Sequence, residues 1–191
     1  MKLFFAFLVS FFVLFCFHAE ASSNVSFSIR DTSTTVNPDS LSLVKPTDSL
    51  GLVLYYRDSL VNELISYAKT FIGCPYRYAG KTRAGFDCSG YVSTMFAHIG
   101  VTLSPSSVGM AGSGRVVPDS TIQAGDILFF INTQRKRSGI GHVGFVIEVK
   151  DGQVLFLHSA CNGGVKYEYL SHPYYKAHYY RAERIKLFDV N

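Results

Sequence analysis

The sequence predicts an α+β domain in which N-terminal helices pack on a central antiparallel sheet. Two apolar stripes at helical spacing come first, at residues 60–72 and 91–99, and β-type runs follow at 127–131, 142–149 and 154–158. A tight Lys150-Asp151-Gly152 connection joins the last two runs as a hairpin, the mark of antiparallel pairing.

The chain has 191 residues, a formal net charge of +4 and 48% hydrophobic residues, part of the last contributed by its first segment. Lys2 precedes the apolar run Leu3–Phe17, which is short for a membrane span, and Ala19-Glu20-Ala21 supplies a small-x-small site. Residues 1–21 are therefore expected to be a secretory signal peptide cleaved after Ala21. Phe15 stands where a lipoprotein signal would carry a small residue before Cys16. The expected product is exported, to the periplasm or cell envelope, with no stable membrane insertion after cleavage and no nucleic-acid partner. Its charge stays at +4, because the segment takes away only Lys2 and Glu20. Such an excess fits an anionic polymer without requiring one.

Residues 22–49 read as a polar linker or arm, rich in Ser, Thr, Asn and Asp and broken by Pro38 and Pro46. Residues 50–191 are expected to form one domain, acting as a monomer. Its first helix is read from Leu60, Leu64, Ile65, Ala68, Phe71 and Ile72, starting after Asp58 or Ser59 and stopping at Gly73. Pro75 then forces an extended segment, with Tyr76 to Lys81 crossing the face of the domain.

The stretch Gly85-Phe86-Asp87-Cys88-Ser89-Gly90 sets a cysteine at the mouth of the second helix, whose stripe is Tyr91, Val92, Met95, Phe96 and Ile99. Asp87 is its N-cap. A thiol in a first helical turn meets unpaired N–H groups and the positive end of the macrodipole, which favour thiolate and make Cys88 a candidate nucleophile. A lone cysteine is more often a buried structural residue. Without Cys16, however, the exported chain carries three cysteines, Cys74, Cys88 and Cys161, an odd number with no zinc-type spacing. At least one thiol stays unpaired, and whether Cys74 and Cys161 join is left open by spacing alone.

After Gly100 the residues Pro105, Gly109, Gly112, Gly114 and Pro118 mark a long loop region with short helical pieces at most. Ile127–Ile131 is a buried strand by its continuous apolar run. The loop 132–141 carries Arg135, Lys136 and Arg137, read as a solvated tip or, alternatively, as a lure for anionic substrate. Strands at His142–Val149, Val154–His158, Val165–Tyr169 and Tyr179–Ile185 complete the sheet.

A two-residue Asp151-Gly152 turn would pair Lys150 with Gln153 and put His142 and His158 on opposite faces. A three-residue loop pairing Val149 with Gln153 puts His158 opposite Gly144 and both imidazoles on one face, as diagonal neighbours with Cα atoms about 7–8 Å apart. The second register is adopted, because one histidine can then serve the thiol while the other orients it. His98, His172 and His178 have no such strand partner and read as structural.

Five ordered motifs carry a resemblance: Pro75-Tyr76-Arg77-Tyr78 ahead of Gly80, Asp87-Cys88-Ser89-Gly90, Gly125-Asp126-Ile127-Leu128-Phe129-Phe130, Gly141-His142-Val143-Gly144 and Leu157-His158-Ser159-Ala160. Over about Leu60 to Arg184 the chain resembles the NlpC/P60 family of cell-wall cysteine peptidases. The resemblance implies a papain-like α+β fold, Cys88 as nucleophile, His142 as general base and His158 as its orienting partner. It also implies substrate contacts for Tyr76, Asp87 and Ser89, peptidoglycan peptides as partner and no metal or organic cofactor. Asp87 keeps its N-cap reading beside that role, and Ser89 its reading as a first-turn helix residue. Ala79 stands where the family often has glycine, so its methyl is expected to narrow the cleft. No accessory wall-binding module is recognised, so specificity for a free peptide N-terminus is not implied.

The activity expected by resemblance is cleavage of stem or cross-link peptides at a D-glutamyl–diaminopimelate or related bond through an acyl-enzyme. Two rivals are an amidase of the CHAP type, disfavoured by a histidine in third place, and a catalytically silent wall-binding domain.

Overall fold

The structure, a computed structural model, describes residues 48–131 and 139–189; the proposed signal peptide, most of the proposed arm and Arg135–Arg137 lie outside them. Helix α1 spans Ser49–Lys69 and α2 Cys88–His98, with the small β1 (Lys81–Thr82) and β2 (Gly85–Phe86) paired between them. Next come α3 (Ser107–Met110) and the strands β3 (Arg115–Val117), β4 (Ile127–Ile131), β5 (Ile140–Lys150), β6 (Gln153–Ala160) and β7 (Gly164–Tyr169). Helix α4 (Pro173–His178) and β8 (Tyr179–Arg184) close the order. Six strands form one antiparallel sheet in the order β3-β8-β4-β5-β6-β7, the α+β architecture expected.

The two faces of this sheet are covered differently. Helices α1 and α2 lay Leu64, Ile65, Ala68, Tyr91, Met95 and Phe96 against Phe129, Val143, Phe145 and Leu157. On the opposite face Leu128, Phe130, Val146 and Phe156 pack with Tyr175 and Ala182. Burial of this apolar area, at roughly 25 cal/mol per Å², is the main force holding helices to sheet. Polar bonds fix the angle: the buried Tyr91 hydroxyl donates to Ala68 O at 3.0 Å and joins the two helices.

Several expectations are corrected. Helix α1 begins at Ser49 rather than after Asp58, because the Asp48 carboxylate accepts the Gly51 N–H at 2.9 Å and caps it there. Its first turns leave Leu50, Val53 and Leu54 exposed, so no buried stripe announces them. The stretch read as loop after Gly100 contains β3, held by pairing with β8 rather than by its own pattern. The Tyr-rich tail contains α4, started by Pro173 behind the His172 cap.

The hairpin carries the correction that matters most. Lys150 pairs with Gln153 across a two-residue turn in which Asp151 and Gly152 have φ of +50° and +72°, the primed type favoured by strand twist. The pairing then shifts between Val146 and Glu148, leaving Ile147 as the extra residue of a β-bulge. Beyond the bulge Phe145 faces Leu157, and the strand continues in the register that puts both histidines on one face. The expected outcome arises from a different turn plus a bulge.

Candidate active site

Cys88 opens α2, and its surroundings are built from both sides of the chain. Asp87 Oδ1 accepts the Gly90 N–H at 2.6 Å and the Ser89 hydroxyl at 3.1 Å, and Oδ2 accepts the Ala79 N–H at 2.8 Å. The carboxylate therefore caps the helix and also ties it to the segment after Tyr76. Gly90 is required there, because a Cβ would collide with the carbonyl of Gly80. The Ser89 hydroxyl also reaches Pro105 O at 3.0 Å, which fastens the loop after α2. In this arrangement both flanking residues make internal bonds and are buried.

Strand β6 is brought to the same place by Ser159, whose buried hydroxyl donates to Phe86 O at 2.7 Å, two residues before the thiol. The N–H groups of Val143, on β5, and of Ser89 point at the Cys88 sulfur and favour its thiolate. Burial and the Asp87 carboxylate act the other way and prevail, pushing the thiol from 9.0 up to about 11. The thiolate expected from the helix N-terminus alone is thus not the resting form. The cause is the burial of a cysteine only 9% exposed and an anion on the adjacent residue.

His142 immediately precedes Val143, and its Nε2 lies 2.8 Å from Nδ1 of His158 with the rings nearly perpendicular, at 86°. Burial lowers both imidazoles, His142 to about 4; His158 is lowered further by its neighbour and by Lys166. Both are neutral at pH 7. His158 is wholly buried and its Nε2 has no hydrogen-bond partner. Tyr175 of α4 covers it, ring centroids 5.0 Å apart and near perpendicular.

Tyr76 reaches the site from the extended segment, bridging to Phe86. Its hydroxyl bonds the Cys161 thiol and feels Cys88 and Asp87, and burial together with these groups raises it above the usual tyrosine range. Cys74, Cys88 and Cys161 are all free thiols. The structure thus brings Tyr76, Asp87 and Ser89 close to Cys88, and pairs His142 with His158 on the strand whose Val143 N–H reaches the sulfur. His98 instead stacks on Tyr67 at 3.7 Å and pairs with Glu63 at 3.2 Å.

Sequence reading missed Ser159, Cys161, Lys166 and Tyr175. Of these only Ser159, inside the Leu157–Ala160 motif, carried a signal. Among the described residues no group of three or more His, Cys, Asp or Glu is arranged to hold a metal ion, and no helix is long and apolar enough to cross a membrane.

Comparisons with known proteins point to one family. The model of the NlpC/P60 family matches residues 73–184, more than half of the chain. A probable endopeptidase of Haemophilus influenzae is 40% identical over 114 residues, which are 59% of this chain and 67% of that one. An Escherichia coli protein named murein DD-endopeptidase MepS/murein LD-carboxypeptidase is 28% identical over 165 residues, covering 83% and 84%. The chain spans only 26% of a Bacillus cereus gamma-D-glutamyl-L-lysine dipeptidyl-peptidase, at 37% identity over 45% of this chain. Among solved structures, an NlpC/P60 family protein from Bacillus cereus superposes with a TM-score of 0.57 at 34% identity, over 65% of this chain and 39% of that one. The helix that opens on Cys88, the histidine hairpin and the sheet order thus share one explanation: the chain belongs to the NlpC/P60 family.

Proposed function

We propose that this protein is an exported cysteine endopeptidase that hydrolyses amide bonds in peptidoglycan stem or cross-link peptides. The observation that carries the reading is the 2.8 Å contact between His142 Nε2 and His158 Nδ1, on the strand whose next N–H points at the Cys88 sulfur. It commits Nε2 of His142 to His158 and leaves Nδ1, the ring nitrogen nearer its own backbone, for the thiol.

The reaction follows from that assignment. His142 in its Nε2–H tautomer donates to His158 and has a free Nδ1 lone pair, so it takes the Cys88 proton as sulfur attacks the carbonyl. Proton transfer at the moment of attack suits a neutral thiol beside a neutral imidazole. The Cys88 backbone N–H, at the start of an 11-residue helix, helps hold the oxyanion. His142 then protonates the leaving amine, and the acyl-enzyme is released by water activated on the same ring. Tyr76, Asp87 and Ser89 are assigned to substrate contact, Asp87 and Ser89 in addition to their internal bonds. No metal or organic cofactor enters any step. The Escherichia coli relative, covered over 84% of its length, favours cross-link peptides among the candidates.

Export follows the proposed cleavage after Ala21, and the mature chain acts as a monomer at the cell envelope. The test is incubation of the mature protein with purified muropeptides and mass spectrometry of the products, beside Cys88→Ala. Peptide-bond cleavage within stems or cross-links, lost in Cys88→Ala, is the expected result. Release of whole stems from the sugar would indicate an amidase instead, and binding without turnover a silent domain.

A further inference from the structure

A cavity of about 390 Å³ opens beside His142, on the sheet face away from α1 and α2. It runs from His142 past Cys161 and Asn162 to Lys166, under Tyr174 and Tyr175. Its volume fits an amino-acid residue with its side chain, at the small end of ligand pockets. No Asp or Glu is among the described residues of its wall. Lys166 sits there by register, as the direct cross-strand partner of His158. Its ammonium has one ion pair, to Glu168 at 3.5 Å, longer than a good charge-assisted bond of about 2.7–2.9 Å, and its side chain is 40% exposed. An ammonium carries three donors, so capacity remains for an acceptor inside the cavity. That charge already reaches the triad, since it contributes to lowering His158.

We infer that this cavity is a subsite for a residue next to the scissile bond, and that Lys166 recognises a free carboxylate on it. A cleft with one ammonium and no carboxylate on its described wall attracts an anion and disfavours its amide. Asn162 offers an amide to the peptide backbone and Tyr174 a ring face to its aliphatic part. The inference rests on the peptidase reading for the identity of the ligand, stem peptides being rich in carboxylates, but not on turnover.

The test therefore uses the inactive Cys88→Ala protein. Calorimetry measures its affinity for the tetrapeptide L-alanyl-γ-D-glutamyl-diaminopimelyl-D-alanine and for analogues in which each carboxylate is amidated in turn. One amidation is expected to weaken binding roughly tenfold or more, the strength of one charge-assisted hydrogen bond. Adding Lys166→Met should abolish that difference, and Lys166→Glu should reverse it, with unchanged thermal unfolding. Equal affinity for all peptides, a difference that survives Lys166→Met, or no binding at all would overturn the subsite. Cleavage by the unmodified protein is scored separately: discrimination without cleavage leaves the subsite standing and removes the hydrolase, and cleavage without discrimination does the reverse.

Discussion

Gly144 lies so close to His158 that a Cβ added to it would stand 3.1 Å from the His158 Cβ and 2.8 Å from Leu157 O. The nearest atoms on that side are the Leu157 carbonyl, which cannot swing away, and the ring of the fully buried Phe156, also at 2.8 Å. Gly144→Ala should therefore push β6 off β5 and disturb the 2.8 Å imidazole contact. We expect a loss of about 1–3 kcal/mol in stability, as for other overpacked sites, and a fall in kcat larger than any rise in KM. Urea unfolding and steady-state kinetics on a stem peptide check both.

The Asp87 carboxylate raises the Cys88 thiol while holding Ala79 and Gly90 in place. Asp87→Asn removes the charge, so the thiol should titrate below about 11. The new amide cannot accept both N–H groups as the carboxylate does, and about 1–3 kcal/mol of stability should be lost with the unsatisfied donor. The pH dependence of iodoacetamide alkylation reads the first effect and thermal unfolding the second. An unchanged or raised alkylation midpoint would refute the assignment.

Stability should fall at both ends of the pH scale. His142 is lowered from 6.5 to about 4, so between these values the unfolded chain binds more protons and stability drains as pH falls. Cys88 is raised from 9.0 to about 11, so in that window the folded chain holds the extra proton and stability drains as pH rises. The proposed mechanism assigns the base to neutral His142, so the acid limb of kcat/KM should likewise lie well below 6.5. Tyr175→Ala admits water to the pair and should move that limb up toward 6.5, whereas Tyr175→Phe, which keeps the ring, should not.

Ala79 has φ of +56°, in the left-handed region that a Cβ disfavours. It is held there by its N–H bond to Asp87 at 2.8 Å. Ala79→Gly should relieve this strain and raise stability by roughly 0.5–1 kcal/mol after the added freedom of the unfolded chain is counted. A higher melting temperature is expected in calorimetry, and a lower one would show that the methyl packs favourably.

Local patterns were readable where one short stretch decides the outcome. The apolar stripe of α2 faces the core and Asp87 caps it in sequence, so helix and thiol position were both legible. The run Ile127–Ile131 is buried as far as Phe130, so its strand was legible too. The first turns of α1 were not, because Leu50, Val53 and Leu54 face solvent and leave no periodic trace. Nor was β3, which exists through its partner β8.

By itself the sequence determined the α+β class, the cysteine at a helix mouth and the two histidines on neighbouring strands, since each depends on residues close together in the chain. The tertiary structure alone decided how they meet. The bulge at Ile147 turned the two-residue hairpin back into a register with both imidazoles on one face, and Ser159 drew that hairpin to Phe86. Burial then set the protonation of the thiol and the imidazoles, because desolvation is a property of everything packed around a group and not of its neighbours in the chain.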